Sequence, residues 1–532
     1  MLKTKINPRE IYQRSQEFGL KASADMLTEI IELEKDNNKR KEAIKYLGLI
    51  GNTSKSLKNE CFETFENLLI SDNKIEIKCE AAKALGRIKH EKALKPLKWI
   101  LEQKPIDYNI RIAALKAINK TRFEEPEIRL FINELDSNFK SIKEYVFIQL
   151  LSLNPGILIN LLLDSLKNKK FSNNHKAELI KLIGYEISSI NVSFEDRSYI
   201  KIKYPEILSN LIKNKDIILS VVTQILKEED PSLMDSVISI LKLLEMEVRK
   251  DLLNLLLLDD FIVKKNAIIL CGKLKLNDAV DSLISSLDNI YNEVAIAAIE
   301  ALGEIGELSA VPELIDILDI EDISFEYTDL DMKLYILDAI KKIYLSNKDY
   351  SYDYLYSSLA KDNDTIKESI AFILGEMGKA ESVKPLIDLL KERNLDVKKN
   401  TAIALGKIGS IESLGDLLKI IEDDKAYWLL KKVATDAIYN IFQRNWYRVK
   451  DNEQDVTRAL NKNMAFLTDH LRIKENENHK VKLSLIKLLE NYGGEQALDA
   501  LIKRVNDFHR VVRIYASNAI KKIEERLELE NS

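Results

Sequence analysis

The 532-residue sequence predicts an all-α solenoid of about 14 to 15 stacked antiparallel helix pairs, and three observations carry that prediction. A phrase recurs along the chain: Ala84-Leu85-Gly86, Ala301-Leu302-Gly303-Glu304-Ile305-Gly306, Ile373-Leu374-Gly375-Glu376-Met377-Gly378 and Ala404-Leu405-Gly406-Lys407-Ile408-Gly409. Between recurrences the apolar residues keep helical spacing, as in Val397, Thr401, Leu405 and Ile408. Glycine (16) and proline (9) are scarce, which disfavours sandwiches, propellers and low-complexity linkers.

The first glycine of the phrase serves as a register mark. In order the marks are Gly48, Gly86, Asn119, Leu151, Gly184, Leu244, Gly272, Gly303, Lys341, Gly375, Gly406, Tyr439, Glu490 and Lys521. Seven of the 16 glycines occupy this column, and Gly51, Gly306, Gly378 and Gly409 sit three residues later. A glycine at the mark permits close backbone approach, and the later one suits a left-handed helix cap. Pro96, Pro312 and Pro385 follow the mark by nine or ten residues and open the next helix, where a missing N–H costs nothing. Each unit is then two helices that bury their apolar faces only by stacking on neighbours.

The organisation follows from the gaps between marks. Residues 1–34 are expected to form N-terminal capping helices, and 35–190 a run of basic repeats. Residues 191–260 hold degenerate repeats, with one unit hidden around Asp216, and 261–440 regular acidic repeats with an insertion at 319–331. Residues 441–532 are expected to hold an inserted helix plus C-terminal capping repeats. Charge is polarised along this order: residues 1–190 carry 33 Lys+Arg against 26 Asp+Glu, whereas 281–430 carry 15 against 30, inside an overall charge of −5.

The phrase resembles the HEAT repeat, in particular the short type found in phycobilin lyases, in which an acidic residue and Val-Arg open the second helix and Ala-Leu-Gly closes it. The match is best at Asp396-Val397-Lys398, Asp364-Thr365-Ile366-Lys367 and Asp507 through Arg513, with lysine often in place of the arginine. The resemblance covers roughly residues 35 to 525. It implies that second helices line a concave face. The residue three before the mark, in every unit but that of Leu244, then forms an outward column: Lys45, Lys83, Lys116, Ile148 and Lys181, followed by Ile269, Glu300, Asp338, Phe372, Ile403, Asp436, Lys487 and Asn518.

The candidate partner-binding residues are therefore Lys45, Lys83, Arg87, Lys116, Lys120 and Lys181 as an anion-attracting stretch, and Ile269, Phe372 and Ile403 as apolar anchors. Ordinary solvated lysines and apolar residues touching the neighbouring repeat are the plainer account of the same column. A second candidate is an acidic, aromatic ridge of Glu321, Asp322, Glu326, Tyr327, Asp329 and Asp331, followed by Tyr344, Tyr350, Tyr352, Tyr354 and Tyr356. Tyrosines covering the core edge explain that stretch equally. Trp446 and Tyr447 between Arg444 and Arg448 read either as nucleic-acid contacts or as packing at the array's edge.

Catalytic chemistry finds little support. The five histidines form no H-E-x-x-H and no Cys/His zinc spacing, and phosphate-gripping and nucleophile-elbow motifs are missing. The HEAT enzyme deoxyhypusine hydroxylase uses His-Glu pairs at the starts of second helices; here those positions hold Cys79-Glu80, Asn266-Ala267, Ser369-Ile370 and Asn400-Thr401, and His90-Glu91 falls in a loop.

The expectation is a non-enzymatic scaffold without cofactor or metal, binding proteins or peptides along its concave face. Salt-sensitive self-association of basic and acidic regions is a further expectation. Two other readings stay open: a lyase-type subunit acting on a protein-attached group, and nucleic-acid binding through the basic N-terminal third, which the sequence pI of about 5.9 disfavours. The apolar runs are too short for a bilayer span, the first 20 residues lack a signal core, and Cys61, Cys79 and Cys271 form no C-x-x-C, so the expected location is cytoplasmic, with no membrane insertion.

Overall fold

The computed structural model describes residues 7–103, 107–191, 203–227, 230–318, 329–347, 349–451 and 453–531. Among the described residues helices make up 81% and no strand occurs. The all-α helix-pair reading therefore holds. The chain divides into two compact units, Met1–Asp251 and Leu252–Ser532.

In the first unit the second helices of successive pairs are Asn37–Gly51, Ile75–Ile88, Tyr108–Thr121, Lys140–Leu151 and Asn173–Asn191. The degenerate stretch supplies Pro205–Lys213, Lys215–Ile225 and the long Pro231–Leu255, which begins in this unit. In the second unit they are Phe261–Lys273, Asn292–Ile305, Asp329–Ser346, Asp364–Met377, Leu395–Ile408, Trp428–Lys450, His479–Tyr492 and Arg510–Asn531. First helices are often shorter and several begin with a 3-10 turn, as Ala380–Ser382 leads into Val383–Leu389. Pro96, Pro312 and Pro385 all lie in the first turn of such helices, as expected.

The register mark explains the stacking. A Cβ built on Gly375 would lie 2.6 Å from the Ala404 Cα; on Gly86, 2.7 Å from the Ala117 Cα; on Gly406, 2.7 Å from the Ala437 Cα; on Gly303, 2.8 Å from the Ala339 Cα. These glycine marks, with Gly48 and Gly272, thus rest on the alanine two before the next mark, whereas Gly184 in the degenerate stretch meets Ser236 instead. Beside this contact Leu85, Leu302, Leu374 and Leu405 are wholly buried, each stabilising the stack by roughly 1.5–3 kcal/mol. Where the mark is Asn119 a polar pair replaces the contact: its amide donates to the Gln149 Oε1 at 2.5 Å.

The second glycine column is only partly conformational. Gly306, Gly378 and Gly409 adopt φ of +85°, +68° and +80°, whereas Gly51 does not, and serves space instead, since a Cβ there would meet the Cys61 Sγ at 2.8 Å. Lys89 and Lys275, at the same register, accept φ of 49° and 52° without glycine's freedom.

A ladder of ion pairs ties successive pairs together. At five repeats the cation eight before the mark reaches an acid in the turn of the following repeat: Arg40 to Asp72 (2.6 Å), Arg111 to Glu134 (2.8 Å), Lys367 to Glu392 (2.9 Å), Lys431 to Glu477 (3.2 Å) and Lys482 to Asp507 (2.8 Å). Lysine in place of arginine does not remove these rungs. Lys367, Lys431 and Lys482 are buried and act as point charges, while Arg111 grips Glu134 with two nitrogens. Burial would raise the Glu477 carboxyl, but the His470 ring at 3.2 Å, the Asn478 N–H and Lys431 outweigh it and hold it down at about 2.

The long gap between Tyr439 and Glu490 is taken up by lengthening two helices, Trp428–Lys450 and Gln454–Ile473, because the added residues keep an apolar stripe, with Val456, Leu460, Met464, Leu467 and Leu471 buried.

Three outcomes follow. Gly375→Ala should lower stability by about 1–3 kcal/mol in urea unfolding, since the new methyl meets backbone. Lys275→Gly should raise it by up to about 1 kcal/mol. The Glu477 carboxyl, depressed in the fold, contributes stability that is complete above the ordinary range near 4.3 and lost as pH falls toward 2. Glu477→Gln should therefore flatten the pH dependence of the unfolding midpoint between those limits, and an unchanged acid limb would contradict the assignment.

Candidate functional site

The mark-on-alanine contact turns one stripe of every second helix away from the stack. In the first unit Lys45, Lys83, Lys116 and Ile148 are exposed at the column position and Lys181 is half-buried, with Arg87 half-buried and Lys120 exposed one turn on. In the second unit Glu300, Asp338, Phe372, Ile403 and Lys487 are exposed, and Ile269 and Asp436 half-buried.

Five of the predicted cations come together. Helices Asn37–Gly51, Ile75–Ile88 and Tyr108–Thr121 are consecutive and joined through Gly48 on Ala84 and Gly86 on Ala117. Lys45, Lys83, Arg87, Lys116 and Lys120 thus share one face. Glu80 lies among them, taking Lys83 at 3.2 Å and Arg87 at 2.7 Å. The Lys45 and Lys116 ammonium groups sit 5.5 and 5.4 Å from the Tyr46 and Tyr145 ring centroids, within cation–π range. Lys181 is not part of this group: it lies on helix Asn173–Asn191 and faces Asp230 at 3.9 Å.

The apolar anchors divide as well. Phe372 and Ile403 lie on adjacent helices joined by Gly375 and Ala404, with the Lys407 ammonium 5.0 Å from the Phe372 ring centroid. Ile269 stands apart, two helices bearing Glu300 and Asp338 intervening. Charges flanking this pair are largely engaged, since Glu376 accepts from both Lys341 and Lys407, and both lower its carboxyl despite partial burial.

Of the acidic ridge, Glu321, Asp322, Glu326 and Tyr327 lie outside the described residues, as do the side chains of Asp329 and Asp331 at the start of helix Asp329–Ser346. Its aromatic half is divided. Tyr344 and Tyr352 are buried edge to face at 4.9 Å, burial pushing the Tyr344 hydroxyl up to about 12, and Tyr350 and Tyr354 are exposed. Trp446 packs on Tyr492 at 5.0 Å and so joins helix Trp428–Lys450 to His479–Tyr492.

His90 is a turn residue, its Nδ1 accepting the Lys92 N–H and its Nε2 2.8 Å from the Asn59 Oδ1. Among the described residues no cluster of three or more His, Cys, Asp or Glu could hold a metal ion, and no helix is long and apolar enough to cross a membrane. The three cysteines are buried thiols, burial pushing Cys271 up to about 12. What the sequence reading missed is the acid half of each rung. A signal existed: Asp72, Glu392 and Asp507 all stand fourteen residues before the next mark.

Lys45→Glu and Lys116→Glu should each change urea stability by no more than about 0.5 kcal/mol, as fits a solvated face, whereas Leu85→Ala beside them should cost about 2–5 kcal/mol.

Comparison with known proteins bears on this architecture. No curated protein sequence matches the chain. Solved structures similar to it include importin beta, 12% identical over 98% of this chain and 78% of that one, with a TM-score of 0.46. Another is the karyopherin Kap121p bound to the SUMO protease Ulp1p, 15% identical over 94% of this chain and 56% of that one, with a TM-score of 0.43. A family model described as HEAT repeats matches residues 62–131, 250–325 and 352–438. Together with the register and its inter-helix contacts, that match makes the chain a HEAT-repeat protein.

Proposed function

We propose that this protein is a non-enzymatic scaffold that binds partner proteins on the exposed stripes of its second helices. One observation carries the reading. Second helices that carry a glycine mark are held by backbone-level contacts on one side and expose side chains on the other, with five cations gathered on three consecutive helices. A rigid, pre-ordered face lowers the cost of binding an extended partner. Lysines backed by tyrosine rings suit acidic protein segments, and the Phe372 and Ile403 pair offers an apolar anchor of the kind that dominates interface energetics.

The test is crosslinking mass spectrometry on the wild type, on Lys45→Glu/Lys83→Glu/Lys116→Glu and on Phe372→Asp/Ile403→Asp. Both variants should keep their helical circular dichroism, and at least one should lose a stoichiometric protein partner that the wild type holds. Retention of that partner by both variants sinks the proposal. So would recovery of nucleic acid in its place, or a partner protein covalently altered only when this chain is present.

A further inference from the structure

The ion-pair ladder is not continuous: among the described residues Lys78, Lys176, Lys264 and Lys398 stand at the rung position without an acid, and at Lys398 the break adjoins a pocket. Lys398 stands eight before its mark, Gly406, where Lys367, Lys431 and Lys482 each hold an acid of the following turn. Fourteen before the next mark, where Asp72, Glu392 and Asp507 supply that acid, this repeat carries Lys425. The two other carboxylates of the turn are committed elsewhere. Asp424 receives the Lys474 ammonium at 2.7 and 2.9 Å, and Asp423 accepts the Lys425 backbone N–H at 2.9 Å. Elsewhere a lysine at this position compensates through a nearby acid, as Lys143 does with Glu178 at 3.2 Å. Among the described residues, the side chains of Lys398, Arg393 and Lys425 have no acidic partner.

These groups line a cavity of about 350 Å³ between the turns of adjacent repeats, a size that accepts a side chain or small ligand. Its walls are apolar, from Ile387, Leu390, Leu395, Ile420 and Leu430, with Tyr427 at the side. The lining carries five cations, Lys391, Arg393, Lys398, Lys419 and Lys425, against two carboxylates, Asp423 and Asp416, the latter held by Lys419 at 2.8 Å.

We infer that this pocket takes a glutamate or aspartate side chain from a partner protein, flanked by an aliphatic residue, which completes the missing rung between Lys398 and Arg393. The other repeats supply the template. In five of them the chemistry that satisfies the cation at this register is a carboxylate carried on a polypeptide turn. The inference deepens the scaffold reading and rests on it, naming the partner chemistry at one place on the second unit.

Isothermal titration of the full chain tests it with three probes: a synthetic peptide alternating glutamate and leucine, its glutamine counterpart, and inorganic phosphate. The glutamate peptide should bind at least about tenfold tighter than the glutamine one and weaken with salt. Lys398→Gln/Arg393→Gln should remove that preference. Ala426→Glu, which places a carboxylate in the lining, should block the peptide and keep the fold, so loss of binding cannot be ascribed to unfolding. Equal binding of both peptides, binding of phosphate in preference to the peptide, no binding by the wild type, or binding unchanged in both variants each overturns the inference. If Lys45→Glu/Lys83→Glu/Lys116→Glu abolishes peptide binding and the pocket variants do not, the scaffold reading survives and the pocket assignment fails.

Discussion

The constraint on which the rest depends is the missing side chain at the register mark. With glycine there, the backbone of the next second helix comes within the reach of a single methyl group. The 3.6-residue period then decides everything else that meets. The alanine two before the next mark receives the contact, the cation eight before the mark points at the following turn, and the residue three before it faces outward. A buried rung and an exposed stripe are two consequences of one close approach.

The rungs are better understood as register devices than as sources of net stability. Taking two charges out of water costs several kcal/mol per ion, and their attraction does little more than repay it. Leaving one partner alone in the same place is much worse. Among near-identical hairpins, a slip of one repeat against another would strand Lys367, Lys431 or Lys482 without its acid. The ladder therefore penalises wrong stackings that the apolar contacts alone would tolerate.

Much of this was legible in the sequence because glycine and proline report backbone geometry directly. The column from Gly48 to Gly406 and the first-turn prolines needed no partner to be recognised. The second glycine column was only half legible, since Lys89 and Lys275 adopt the left-handed conformation that their sequence does not announce, and Gly51 avoids it. Lengthened helices were hidden for a related reason. An apolar stripe that simply continues, as in Gln454–Ile473, carries no punctuation to separate extension from insertion. The rungs lay further out of reach, their two halves falling 25 residues apart for Lys367 with Glu392 and 46 for Lys431 with Glu477, in different repeats and on different element types.

A repeat array states its own rule many times over, so its exceptions can be judged against copies of themselves. Asn119 departs from glycine at the mark, and Gln149 answers it with a hydrogen bond, so the departure is absorbed inside the stack. Lys143 lacks an acid in the expected place, and Glu178 answers it. Lys425 also departs from the rule, but nothing in the neighbouring helix answers: Lys432, on the nearest turn, is itself a cation bound to Asp436 at 2.5 Å. A departure compensated internally belongs to the folding of the array. One left uncompensated beside an apolar cavity that is open to water leaves room for an external group to supply the missing carboxylate, and that opening is what separates a site from a variation.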